Sequence, residues 1–158
     1  MIDTHSHLFV EEFDEDLPAV IERARDSGVS KVFMPNIDDT TVEAMLNVCT
    51  AYKGYCFPMI RFHPTSVGAD SLFRIYEMKK LLSGEHPFVA VGEVGMDLYW
   101  DRTYLKEQQK ALDIQIQWAL EYHLPLVLHC REAFPELFEV MEPYKKTELS
   151  GIFHSFTF

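Results

Sequence analysis

The sequence predicts an α/β fold in which a parallel sheet is covered by helices, and three observations carry that expectation. Short apolar runs rich in Val, Ile and Phe alternate with longer segments of helical period along the chain. Runs such as Val32-Phe33-Met34 are continuously apolar, which suits a strand buried on both faces rather than one with a wet side. The runs also present their polar residue last, as strands do when a site is built at their carboxyl ends.

Taken in order, the first strand covers residues 1–4 and runs into His5-Ser6-His7, and a helix over 16–27 follows, stopped by Gly28. The second strand is 31–36 and the second helix 40–52, with Asp39 or Thr40 as its cap. The third strand, 56–62, closes in Arg61-Phe62-His63-Pro64, where the proline stops the ladder and stiffens the loop. A helix over 71–83 starts at Asp70 or Ser71 and ends at Gly84. The fourth strand is 88–92, the fifth 126–129 and the sixth 151–154, with helices over 104–123 and 133–144 between them. Six strands and five helices result, where a closed TIM (β/α)8 barrel has eight of each in typically about 250 residues. The expectation is a barrel of that type, stopping early, as one domain over residues 1–158.

The 158 residues suffice for a real core, since a chain this long buries roughly 70% of its unfolded surface. No apolar run approaches the roughly 20 residues that span a bilayer, and the N-terminus lacks the basic start and apolar centre of a signal peptide. Cys49, Cys56 and Cys130 are odd in number and have no CxxC spacing, which fits reduced thiols and a cytoplasmic location. The net charge of −11 disfavours tight, sequence-specific binding to nucleic acid. Weak engagement through bound cations remains open, because divalent ions dominate local charge in a site.

Alternation along a strand puts Asp3, His5 and His7 on one face; it likewise groups Val89, Val91 and Glu93, then Val127 and His129, then Ile152 and His154. Four histidines and a glutamate thus meet at strand ends. Imidazole and carboxylate suit zinc, manganese or other first-row ions, and a carboxylate can bridge two of them, so the set points to a two-metal hydrolytic centre. A lone His-x-His is weak, but equivalent placement at four strand ends is hard to assign to chance. Asp3 either orients an imidazole or caps a lumen network. His63 either contacts a substrate phosphate or is a hydrogen-bonded rim histidine, and Arg131 either holds a phosphate oxygen or pairs with a surface carboxylate. His86 and His123 fall in helix-to-strand connections on the opposite rim and read as structural. Tyr99 and Trp100 either stack on a base or cover their loop, and the segment 108–122 reads as an amphipathic outer helix without a functional demand.

Five stretches together resemble the TatD family of metal-dependent deoxyribonucleases, within the amidohydrolase-like barrels. They are Met1-Ile2-Asp3-Thr4-His5-Ser6-His7-Leu8, Phe62-His63-Pro64, Val91-Gly92-Glu93-Val94-Gly95-Met96-Asp97, the run from Leu124 through His129, Cys130 and Arg131 to Ala133, and Gly151-Ile152-Phe153-His154-Ser155-Phe156. The resemblance implies a TIM barrel with two divalent ions, Mg, Mn or Zn, one held by His5 and His7, the other by His129 and His154, with Glu93 reaching both. It further implies hydrolysis of DNA as a 3'-5' exonuclease, with Glu93 catalytic and His63 and Arg131 positioning the phosphate. Family members run on to an aspartate on a later strand, whereas this sequence ends at Phe158 in the apolar Ser155-Phe156-Thr157-Phe158. The resemblance therefore implies a truncated chain, short of one ligand. Two other outcomes stay open: an amidohydrolase or lactonase acting on a small substrate, since the same ions activate water against carbonyl carbon, and an inactive metal-binding fragment that self-associates through open sheet edges.

Overall fold

The computed structural model describes residues 1–155; Phe156, the last position of the resemblance, lies outside the described residues with Thr157 and Phe158. Six parallel strands form one sheet in the order β1-β2-β3-β4-β5-β6: β1 (Ile2–Asp3), β2 (Lys31–Pro35), β3 (Cys56–Ile60), β4 (Ala90–Asp97), β5 (Leu126–Arg131) and β6 (Gly151–Phe153). Between them lie α1 (Leu17–Asp26), α2 (Val42–Ala51), α3 (Ser71–Lys79), α4 (Leu105–Glu121) and α5 (Phe134–Met141). The expected α/β fold of six strands and five helices is therefore present among the described residues as a curled half-barrel, with β1 and β6 as its edges.

The strand alternation divides the side chains as a curled sheet requires. Val32, Met34, Cys56, Ile60, Val91, Leu126 and Leu128 point to the helix layer, where Trp118, Ile75, Leu112 and Ile116 meet them. Met59, Ala90 and Val127 form a smaller cluster on the concave face, with Phe33 and Val89 against it. Phe33 is only half buried, so β2 is sealed on its helix side and looser on its lumen side.

Three local expectations are corrected. The first strand is only Ile2–Asp3, so His5 and His7 stand on the coil beyond it. The cap ahead of α2 is Asp38, whose carboxylate accepts from the Thr40 amide at 3.0 Å, while its own amide donates to Thr41 Oγ1. Asp70 makes no cap bond at α3; Ser71 Oγ accepts from the Gly68 amide at 2.7 Å instead.

The largest difference is β4, which runs on to Asp97 because the strand carries a bulge. Gly92 pairs with Val127 and Val94 with Leu128, leaving Glu93 as the extra residue. One inserted residue reverses the facing of the residues after it. Val91 and Val94 both reach the helix-side core, while Glu93 turns inward with Asp97. The alternation that groups Glu93 with Val91 is thus wrong for Val91, although the inward placement of Glu93 holds.

The carboxyl ends of β3 and β4 are held by buried amide side chains where ordinary ladder bonds stop. Asn36 Oδ1 accepts from Arg61 N, and its Nδ2 donates to Arg61 O, both at 2.8 Å. Gln115 accepts from Phe62 N at 2.7 Å, and Gln108 accepts from Asp97 N and donates to Asp97 O, each at 2.9 Å. These glutamines lie seven residues apart, two turns of α4, on its inner face. The helix that reads as an outer cover is therefore a clamp on the site strands.

Candidate metal centre

The coil after β1 is fixed before it presents its histidines. Ser6 N donates to Phe33 O at 3.1 Å, and His5 N donates to Asp3 Oδ1 at 3.1 Å, so Asp3 caps backbone and orients no imidazole. His7 Nδ1 donates to the Pro35 carbonyl at 3.0 Å, which leaves its Nε2 as a lone pair facing His5 Nε2 at 3.1 Å. Burial, aided by neighbouring imidazoles and Arg61, lowers His5 to about 4 even against the attraction of Glu93. A neutral His5 that donates from Nε2 to His7 has its other lone pair on Nδ1. That nitrogen is buried with no hydrogen-bond partner among the described residues and lies 3.7 Å from Glu93 Oε2. A lone pair aimed at a carboxylate across that gap is a poor arrangement without a cation, and it is what a metal ligand needs.

Glu93 is 5% exposed and sits at the middle of the group. Burial opposes its charge, but the hydrogen bond from His129, then Arg61 and the imidazoles of His5 and His63, bring its pKa down to about 2. Oε1 lies 3.1 Å from His129 Nδ1 and 3.9 Å from His154 Nε2; Oε2 lies 2.6 Å from Arg61 Nη1 and 3.9 Å from His63 Nε2. Two donor triplets result, His5/Glu93/His154 and His63/Glu93/His129, each with its donor atoms within 4.8 Å of one another. The rings of His5 and His154 stack at 4.3 Å, which shows how far the sheet curls to bring β1 and β6 together at this end.

His63 is lowered to about 3, mainly by burial and then by Arg61, and its Nδ1 is engaged by Thr65 Oγ1 at 2.7 Å, leaving Nε2 for the site. Arg131 stands apart: exposed, its guanidinium lies 3.6 Å from the centre of the Tyr99 ring and 5.5 Å from that of Trp100. His86 packs against Phe88 and Tyr122, away from the cluster.

Two residues at the site were not singled out by sequence reasoning. Asp97 accepts from His129 Nε2 at 2.9 Å, with its other oxygen on Tyr99 N, so it fixes the His129 ring and directs Nδ1 toward Glu93. Burial disfavours an imidazolium there, but the bonds to Glu93 and Asp97 prevail and raise the His129 pKa. Arg61 is the second; a lone cation in an apolar strand end was the available signal.

These shifts set the acid response of the metal-free protein. His5 and His63 carry folded pKa values of about 4 and about 3 against 6.5 unfolded, so the unfolded chain binds more protons as pH falls below 6.5. Their contribution is complete above 6.5 and is lost on the way down to those folded values, while Glu93 extends the loss below its unfolded 4.5. His129 works in the opposite sense. In chelator, urea unfolding at pH 5 is expected to show less stability than at pH 7, by on the order of 1–3 kcal/mol; equal or greater stability at pH 5 contradicts the assignment.

Comparison with known proteins gives a family model described as TatD related DNase, matching residues 2–158. A Bacillus subtilis protein, "Uncharacterized metal-dependent hydrolase YabD", is 31% identical over 99% of this chain and 61% of its own length. A Pantoea protein named "3'-5' ssDNA/RNA exonuclease TatD" is 29% identical over 99% of this chain and 60% of its own. Among solved structures, the TatD homologue YJJV of Escherichia coli K12 superposes with a TM-score of 0.85 at 27% identity, over 100% of this chain and 61% of that one. The chain spans about 60% of the length of the curated relatives it matches.

Proposed function

Because the chain belongs to the family of TatD-related DNases, we propose that it is a metal-dependent phosphodiester hydrolase that cuts DNA, as a 3'-5' exonuclease on single-stranded ends. The observation that carries this reading is Glu93: an ionised, buried carboxylate shared by two pairs of imidazoles, His5 with His154 and His63 with His129. Bound divalent ions, Mg, Mn or Zn, would polarise the phosphoryl oxygen and lower the pKa of an attacking water. The chain's part is to orient its donors and, at His5, His7 and His63, to keep them deprotonated. In this proposal His5, His7, Glu93, His129 and His154 hold two ions. His63 works where ion and phosphate meet, and Arg131 contacts the phosphate from the rim.

The net charge of −11 supports weak engagement without sequence preference, with most of the attraction to phosphate supplied at the metal centre itself. No helix among the described residues is long and apolar enough to cross a membrane, and the three cysteines are free, which supports a cytoplasmic location. Among the described residues β1 and β6 are the outermost strands of the sheet, which supports self-association, and mass in solution would reveal it. The function is tested with single- and double-stranded oligonucleotides labelled at either end, beside a panel of lactones and amides. The expected result is stepwise shortening from the 3' end of single strands; turnover confined to the lactones or amides would transfer the site to the alternative chemistry.

A further inference from the structure

Arg61 puts a full positive charge inside the metal centre, and the structure gives it no freedom to leave. The residue is 3% exposed. Its backbone is held on both sides by Asn36, its Nε donates to the Asn36 carbonyl, and its Nη1 donates to Glu93 Oε2 at 2.6 Å. Asn36 is itself fully buried, so swinging the guanidinium out would leave a buried carbonyl without its donor. This cation touches only one of the two Glu93 oxygens. Oε2 has Arg61 against it and His5 and His63 nearby, whereas Oε1 faces only His129 and His154 among the described residues.

A divalent ion drawing on Oε2 must share that oxygen with a guanidinium and sit a few ångströms from a like charge; an ion drawing on Oε1 meets neither cost. We propose that Arg61 makes the two ion positions of that reading unequal: the ion that His129 and His154 share with Oε1 is retained, and the ion that His5 and His7 share with Oε2 is held weakly and exchanges with solution. This rests on the two-ion reading above and goes beyond it by ranking the positions and naming the residue that ranks them.

The test is a titration of the chelator-stripped full chain with Mn2+, followed by calorimetry and by the electron paramagnetic resonance signal of free Mn2+. Two classes are expected, with dissociation constants at least about tenfold apart, or one class only if the weaker lies out of range. Arg61→Gln removes the charge but keeps an amide donor for Asn36. It is expected to tighten the weaker class by about tenfold or more while shifting the tighter one by less than about threefold. Arg61→Lys keeps the charge and is expected to preserve the gap. Two equal affinities in the unsubstituted protein overturn the proposal without recourse to any variant, as does an unchanged gap in a folded Arg61→Gln. A gap closed equally by Lys and Gln also overturns it, since packing rather than charge would then be responsible. Absence of Mn2+ binding in all three proteins would remove the metal reading itself, a failure distinct from two bound ions of equal affinity.

Discussion

Glu93→Ala is expected to abolish metal-dependent hydrolysis, with kcat falling by at least about a thousandfold. Both donor triplets pass through this carboxylate, so its removal leaves pairs of imidazoles that no longer enclose an ion. The loss should appear first in metal content, measured on dialysed protein, and only through it in turnover. A second effect accompanies it. Arg61 is left buried without its partner, and an uncompensated buried charge costs about 3–5 kcal/mol. Glu93→Gln separates the two consequences, because it fills the same volume and still accepts a hydrogen bond from Arg61 while losing the negative charge. A folded Gln variant that keeps both its ions and its rate would show that the carboxylate is not the shared ligand.

Gly95→Ala is expected to be the most damaging single methyl group in the chain. Gly95 has φ +147, and a Cβ there would overlap the His129 carbonyl oxygen and lie 3.0 Å from its carbon, inside the pairing of Gly95 with His129. Backbone cannot yield as a flexible side chain does, so β4 and β5 must separate at the position that carries His129, a proposed metal ligand. The expected loss exceeds about 4 kcal/mol, together with metal binding. Gly54→Ala is the control: its φ is +84 but nothing lies within 4 Å of the added carbon, so it should cost only the left-handed strain of about 1–2 kcal/mol. Similar midpoints for the two variants in urea would refute the steric account.

The architecture was legible because hydrophobic periodicity is a local signal. Val32, Met34 and Ile60 are apolar for the reason that they are buried against helices, and the order of runs fixes a parallel sheet. The histidines were legible because each closes an apolar run, where core packing gives an imidazole no purpose. The features that stayed hidden depend on register. Asp97 looks like a loop residue until the bulge at Glu93 extends β4 and turns it inward to His129. Gln108 and Gln115 resemble a solvated helix face, because a glutamine that clamps a strand end reads the same as one in water. Arg61 carries no such signal beside His63, since a strand-end arginine shows its partner only when Asn36 and Glu93 close on it.

An ion-dependent reaction at Glu93 is open to one direct measurement: shortening of a 5'-labelled single-stranded oligonucleotide by the 158-residue chain in Mg2+, Mn2+ or Zn2+, with and without chelator. Cleavage that requires one of these ions, stops with chelator and is missing in Glu93→Ala is the expected result. Cleavage that persists in chelator, or none with any of the three ions, would contradict it.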